Sequence, residues 1–241
     1  MNVLFIHGLI GHMRAPEIDA RFGSSALAPN LLGYGEHSGY EGEISLPTQV
    51  EFLHELLHDR GIERVHAVGH SIGGAIAMLF AREYPNHTLS VINVEGNFTL
   101  KDAFWSAVIL AQTFEASDKA HQASIADPAA WLAASGVTPT PERIAMARSH
   151  LENQPISTMR AMAKSVIETT GKPKFLDDVM TVLNNGTPMH LIAGERSRQA
   201  WDVPPFVLDN APLTTLPNTG HLITIESPSA FAQAVAELVH M

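Results

Sequence analysis

The stretch RVHAVGHSIGGAIAMLFAR, residues 64–82, decides how the chain is read. Residues 64–69 form a short apolar, β-branched run suited to a strand buried on both faces, and residues 72–82 are rich in helix formers. Between them Gly69-His70-Ser71-Ile72-Gly73 matches G-x-S-x-G, in which a serine on a tight strand-to-helix turn projects its hydroxyl above a sheet. Small residues are required around it, because the turn brings strand and helix backbones together; Gly73-Gly74 also lets the helix approach its neighbours. Composition alone yields about 0.08 such strings in a chain of this make-up, so the context carries more weight than the pentapeptide.

Working outward, similar apolar runs recur at residues 3–6, 89–94, 189–193 and, more weakly, 213–216. Helix-like stretches lie between them. In residues 48–59, Val50, Leu53, Leu56 and Leu57 make one apolar stripe, and residues 228–239 begin with Ser227 as an N-cap and Pro228 at the first helical position. Strand and helix alternate at both ends of the chain, which predicts an α/β fold with a mostly parallel sheet and crossover helices. The middle breaks this rhythm. Residues 97–186 contain no convincing strand, but Thr140-Pro141-Glu142 opens one helix and Met159, Met162 and Val166 share a face of another. Breakers at Pro128, Gly136, Pro139, Pro155 and Gly171-Lys172-Pro173 divide the segment into short helices. The expected organisation is a core of residues 1–96 and 187–241 with a helical insertion at 97–186, whose last helix, residues 175–183, is assignable to either part.

The 241 residues are 45% hydrophobic and 17% charged, which fits one globular domain carrying an insertion. A formal charge of -10 repels phosphate backbones and anionic lipid heads, so neither a nucleic acid nor a membrane is the expected partner. The absence of Cys excludes disulfides, thiolate metal sites and a cysteine nucleophile within these residues. The opening MNVLFIHG has too short an apolar run for a signal segment and no basic residue before it, so a cytoplasmic location is expected.

A second string competes with the first. His54-Glu55-Leu56-Leu57-His58 matches H-E-x-x-H on an expected helix and resembles a zinc protease signature, with two imidazoles one turn apart and a glutamate to activate water. Gly61 continues the longer version, but the third-ligand position is Arg64, which keeps its proton and cannot bind a cation. His66 comes two residues late and falls in a strand. The favoured reading is a solvated helix face with no metal.

Five segments then match in order: HGLIGH at residues 7–12, LAPNLLGYGEHS at 27–38, GHSIGG at 69–74, LIAGE at 191–195 and NTGHLITIESP at 218–228. On these segments the sequence resembles the α/β-hydrolase superfamily, in the branch with a helical cap. The resemblance implies a sheet flanked by helices that lacks the family's first two strands, since residues 3–6 match the third. It implies Ser71 as nucleophile, His221 as general base, and the backbone N–H groups of Leu9 and Ile72 as oxyanion donors, with His7 a brace for the loop. The usual aspartate of a G-x-x-D arrangement is missing, because Gly194-Glu195-Arg196 is followed by Ser197. Some members carry the acid after the strand that follows the nucleophile helix, where Glu95 stands; Glu195 and Asp202 are the alternatives. The function so implied is a cofactor-free serine hydrolase that acts on a small ester-like or activated carbonyl substrate through an acyl-enzyme. A carbon-carbon bond hydrolase or lyase, a zinc hydrolase and a non-catalytic ligand binder are the rival readings. Phe98, Phe104, Trp105, Phe114 and Trp131 in the insertion suit either an acyl pocket or ordinary core, and no substrate-binding residue is assigned.

Overall fold

In the computed structural model, which describes residues 2–240, six strands form one parallel sheet: β1 (Asn2–Ile6), β2 (Ala26–Leu27), β3 (Val65–His70), β4 (Thr88–Val94), β5 (Met189–Gly194) and β6 (Leu213–Leu216). Their spatial order is β2-β1-β3-β4-β5-β6, and every neighbouring pair is parallel. Helix α1 (Pro16–Phe22) joins β1 to β2, α2 (Leu46–Asp59) precedes β3, and α3 (Ile72–Glu83) joins β3 to β4. Between β4 and β5 run α4 (Phe104–Leu110), α5 (Phe114–Ala126), α6 (Pro128–Ala134), α7 (Pro141–Leu151), α8 (Ile156–Thr170) and α9 (Pro173–Asn184), with no strand among the described residues there. The short α10 (Pro205–Leu208) and α11 (Ile223–Glu226) and the final α12 (Pro228–Val239) complete the chain.

Alternation along the strands sorts the core into two layers. Leu4, Ile6, Ala67, Val91 and Leu191 pack with Leu53 and Leu57 of α2, Ile76 and Phe80 of α3, and Val179 and Val182 of α9. Val3, Phe5, Val68, Ile92 and Ile192 face the other way, onto Ile18 of α1 and Phe231 and Val235 of α12. Helix α9 therefore shares the core of the sheet. A small third cluster of Leu132, Val137, Ala147, Leu222 and Ile225 joins α6 and α7 to α11.

Local chemistry explains most helix starts. Ser45 and Thr48 form a reciprocal capping box at α2, which begins two residues before the expected start. The side chains of Thr113, Asp127 and Thr140 accept the first free N–H groups of α5, α6 and α7. Ser227 corrects the sequence reading: its hydroxyl pairs with Thr219 Oγ1 at 2.8 Å and caps nothing, leaving Pro228 alone to open α12.

The strand order reverses between β1 and β3, so the loops that leave their C-terminal ends diverge there and open a crevice. The crevice needs close backbone contact. A Cβ on Gly73 would lie 2.1 Å from the carbonyl oxygen of Ile6, and one on Gly69 would lie 2.1 Å from that of Gly73. Gly73→Ala is expected to lower stability by about 2–3 kcal/mol through overpacking against backbone. Gly39→Ala, where nothing lies within 4 Å, should stay within about 0.5 kcal/mol. Urea unfolding of both variants checks the contrast.

Candidate active site

Ser71 stands between β3 and α3 with φ 54 and ψ -123, a region sterically disfavoured for any side chain. It occupies the position before the helix but makes no side-chain cap. Its backbone is fixed instead: the N–H donates to Val94 O at 3.1 Å, and its carbonyl accepts from Gly74 N at 2.9 Å and Asn97 N at 3.2 Å. In a trans peptide the C=O and N–H point in opposite directions. With the Ser71 carbonyl held toward Gly74 and Asn97, the Ile72 N–H is turned to the other side.

The loop after β1 is fixed in the same manner. The His7 ring donates through Nδ1 to Gly8 O at 2.9 Å and accepts at Nε2 from Leu31 N at 3.1 Å, which sets its tautomer. The Gly8 carbonyl therefore faces His7, and the Leu9 N–H of the same peptide faces away. Tyr34 Oη donates to Leu9 O at 3.0 Å, while Gln154 and Asn153 hold the N–H and the carbonyl of Gly11, each at 2.9 Å. Leu9 and Ile72 line one cavity of about 10 Å³ together with Ser71, Asn97 and His221. Among the described residues, neither the Leu9 nor the Ile72 N–H has a protein acceptor.

His221 lies in the loop after β6. Its Nδ1 is 2.7 Å from Glu95 Oε2, and its carbonyl accepts from His70 Nε2 at 2.9 Å. Glu95, only 4% exposed, also accepts at Oε1 from Gly194 N at 2.7 Å and Ser197 Oγ at 2.5 Å. Burial pushes the Glu95 carboxyl up, but the bonds from His221, Ser197 and Gly194 outweigh it and hold the group below the usual carboxylate range. Ser71 and His221 share the walls of the 10 Å³ cavity and of an adjoining one of about 30 Å³, without a direct hydrogen bond between them.

Of the residues expected from sequence, the structure brings Ser71, His221, Glu95, Leu9 and Ile72 together. The two other candidate acids lie elsewhere. Glu195 accepts from Asn218 N at 2.8 Å, and Asp202 pairs with Lys101 at 3.1 Å and Thr99 at 2.7 Å. His54 stacks on Tyr84 at 3.9 Å and His58 contacts Asp59 at the surface. Among the described residues, no three His, Asp or Glu side chains group as a metal site would require. Trp105 and Trp131 line the cavity, Phe98 is buried core, and Phe104 and Phe114 are about half exposed.

Sequence reasoning missed several supports. Buried Glu226 holds the N–H of Gly220 at 2.9 Å and pairs with Arg196, which also binds Asn218 O, bracing the loop before His221. Asn97 Oδ1 is buried without a partner on the cavity wall, among the described residues. Ser197 carried a signal only as the residue occupying the position of the missing aspartate.

A family model described as "Alpha/beta hydrolase family" matches residues 3–234. The chain belongs to that family. "Lipase 1" of Psychrobacter immobilis is 35% identical over 111 residues, covering 44% of this chain and 33% of the relative. The chain spans about a third of the length of the curated relatives it matches. Among solved structures, a thermophilic esterase from Thermogutta terrifontis aligns with a TM-score of 0.76 at 18% identity, over 100% of this chain and 89% of that one. A structure from work on carboxylesterases of Nitrososphaera gargenis gives 0.73 at 16% identity, over 99% and 89%. At these identities the likeness is one of fold. No helix among the described residues is long and apolar enough to cross a membrane.

The buried histidines of this α/β hydrolase contribute to its acid sensitivity. Burial lowers His7 to about 4 and His70 to about 3, from an ordinary 6.5. The unfolded chain thus binds protons at both sites before the folded chain does. Their contribution is full above pH 6.5 and declines as pH falls toward those values, by about 1.4 kcal/mol per pH unit for each group. Stability from urea titrations is expected to fall between pH 6.5 and 4.5, and His7→Asn should make that slope shallower.

Proposed function

We propose that this α/β hydrolase is a cofactor-free serine esterase that cleaves a small ester-like substrate through an acyl-enzyme. The observation that carries the reading is the 2.7 Å bond from His221 Nδ1 to Glu95, made on the wall of the cavity where Ser71 and the unpartnered N–H groups of Leu9 and Ile72 meet. With Nδ1 engaged, a neutral His221 has its free lone pair on Nε2. That nitrogen takes the Ser71 proton as Oγ attacks the carbonyl carbon, and the Leu9 and Ile72 N–H groups receive the developing oxyanion. The imidazolium then protonates the leaving alcohol. Water attacks the acyl-enzyme by the same route and returns the proton to Ser71.

Glu95 stabilises the imidazolium and fixes the tautomer, while Ser197 and Gly194 keep one carboxylate oxygen occupied so that the other stays aimed at His221. Helices α4 to α8 act as the cap that selects substrate, and α9 belongs with the core. A small-molecule substrate and a cytoplasmic location complete the proposal. The names of the matched lipase, esterase and carboxylesterases support ester chemistry over carbon-carbon cleavage.

Fluorophosphonate labelling tests the nucleophile: an adduct on Ser71, lost in Ser71→Ala together with at least about 10³-fold in p-nitrophenyl acetate turnover, is expected. Full activity in Ser71→Ala would reject the serine mechanism. Glu95→Gln should lower kcat by about 10²-fold or more, and Glu195→Gln by less than about threefold; the reverse pattern would reassign the acid. Ser197→Ala removes one hydrogen bond to Glu95 and is expected to lower kcat about fivefold with KM unchanged, measured by steady-state kinetics.

A further inference from the structure

A second cleft lies behind the Ser71 cavity, between α4, α5 and α8. It measures about 240 Å³ and is lined by apolar groups that include Val108, Ile109, Leu151, Ile156 and Met159. Ile10, Trp105 and Trp131 form the wall between the two spaces and line both. The Trp105 ring lies 6.3 Å from that of Trp131 and 6.0 Å, edge to face, from the imidazole of His221.

Several polar groups around this cleft are already bonded inside the protein. Ser117 Oγ donates to Phe114 O at 2.9 Å, Ser124 Oγ to Ala120 O at 3.1 Å, and His121 Nε2 to Gln154 O at 3.2 Å. Arg160 donates to the carbonyls of Ile109 and Gln112 at 2.8 and 3.0 Å. An apolar group entering the cleft gives up no hydrogen bonds to water and meets a mostly apolar lining. The space on the other side of His221, about 350 Å³, brings Lys101, Asp102 and Ser197 together with Phe104 and Trp201.

We propose that the cleft between α4 and α5 seats an unbranched alkyl arm of the substrate, admitted past Trp105 and Trp131. This deepens the esterase reading and rests on Ser71 as nucleophile. The finite length of the cleft limits how many carbons of the arm it buries. Its outer end is open beside Val108, which is 56% exposed, so longer chains protrude and gain nothing further.

Two ester series test the inference and tell which arm enters: p-nitrophenyl esters from acetate to dodecanoate, and acetates of the corresponding alkyl alcohols. In one series kcat/KM is expected to rise about two- to fourfold per methylene, the effect of burying it, and to level off before dodecanoate or dodecanol, once the chain reaches the open outer end. Ser124→Phe places a ring in the cleft and should cut the ratio of eight-carbon to two-carbon ester about tenfold or more. Ala120→Phe repeats the insertion at a second lining position. Lys119→Phe, on the same helix outside the lining, should leave the profile unchanged. A flat profile in both series from protein that still labels at Ser71 would overturn the proposal, as would a profile indifferent to both insertions. If Ser71→Ala keeps its activity, the esterase mechanism falls first. Quenching of tryptophan fluorescence by a terminally brominated octanol then reads the cleft directly: quenching lost in Ser124→Phe supports it, and none in the unsubstituted protein refutes it.

Discussion

The left-handed backbone at Ser71 is the constraint on which the site depends. A side chain held at φ 54 and ψ -123 costs about 1–3 kcal/mol, and the surrounding sheet supplies the bonds that enforce it. Ser45 shows what the alternative would be. At φ -146 it has the extended backbone of an ordinary cap, and its hydroxyl turns back to accept the N–H of Thr48. The same residue type before a helix thus has two fates, decided by its backbone conformation. At Ser71 the hydroxyl is released from capping, the Ile72 N–H has no acceptor among the described residues, and both face the cavity that Leu9 enters from the loop after β1. Gly8 permits that approach, since a Cβ there would lie 3.0 Å from the Cβ of Ser71.

Charge in the site is governed by hydrogen-bond number more than by burial. Glu95 ends β4 with a positive φ of 43 and is nearly inaccessible, circumstances that by themselves favour the neutral acid. Three donors from two segments reverse this, and the carboxylate stays ionised opposite His221. Ser197 has a particular place in the arrangement. It stands where the family resemblance leads one to expect the acid, and it donates to the carboxylate of Glu95 beyond the neighbouring strand. The ends of β4 and β5 therefore meet at the carboxylate that bonds His221.

Much of this was legible in the sequence because it depends on local rules. The apolar runs mark five strands, and the glycines around Ser71 mark the turn that joins β3 to α3. β2 escaped detection: two residues, Ala26 and Leu27, carry no periodicity, and they form a strand only because β1 offers an edge. Ser227 misled, since a residue suited to capping found a better partner in Thr219, a choice made by the fold and not by the flanking residues. The supports of His221 were equally hidden. Glu226, Arg196 and Gly220 meet across a loop whose closure no spacing reveals, and the tautomer of His7 is set by Gly8 and Leu31. Cavities were the least legible of all, because each wall comes from helices far apart in the chain.

His221 is anchored differently on its two sides. From the sheet side it is held by directional bonds: Glu95 at the end of β4 takes its Nδ1, and His70 at the end of β3 holds its carbonyl. From the helix side the contacts are mostly apolar, with one hydrogen bond from Arg143 of α7 to Glu226 O at 3.0 Å. Leu222 and Ile225 share the small core with Leu132 and Ala147, and Trp105 packs against it while lining both cavities. Apolar contacts scale with buried area and carry little directional preference, so they tolerate sliding that a 2.7 Å hydrogen bond does not. An alkyl arm seated as proposed would therefore press on the mostly apolar side of the histidine, while the directional bonds keep the imidazole aligned with Glu95 and the cavity of Ser71.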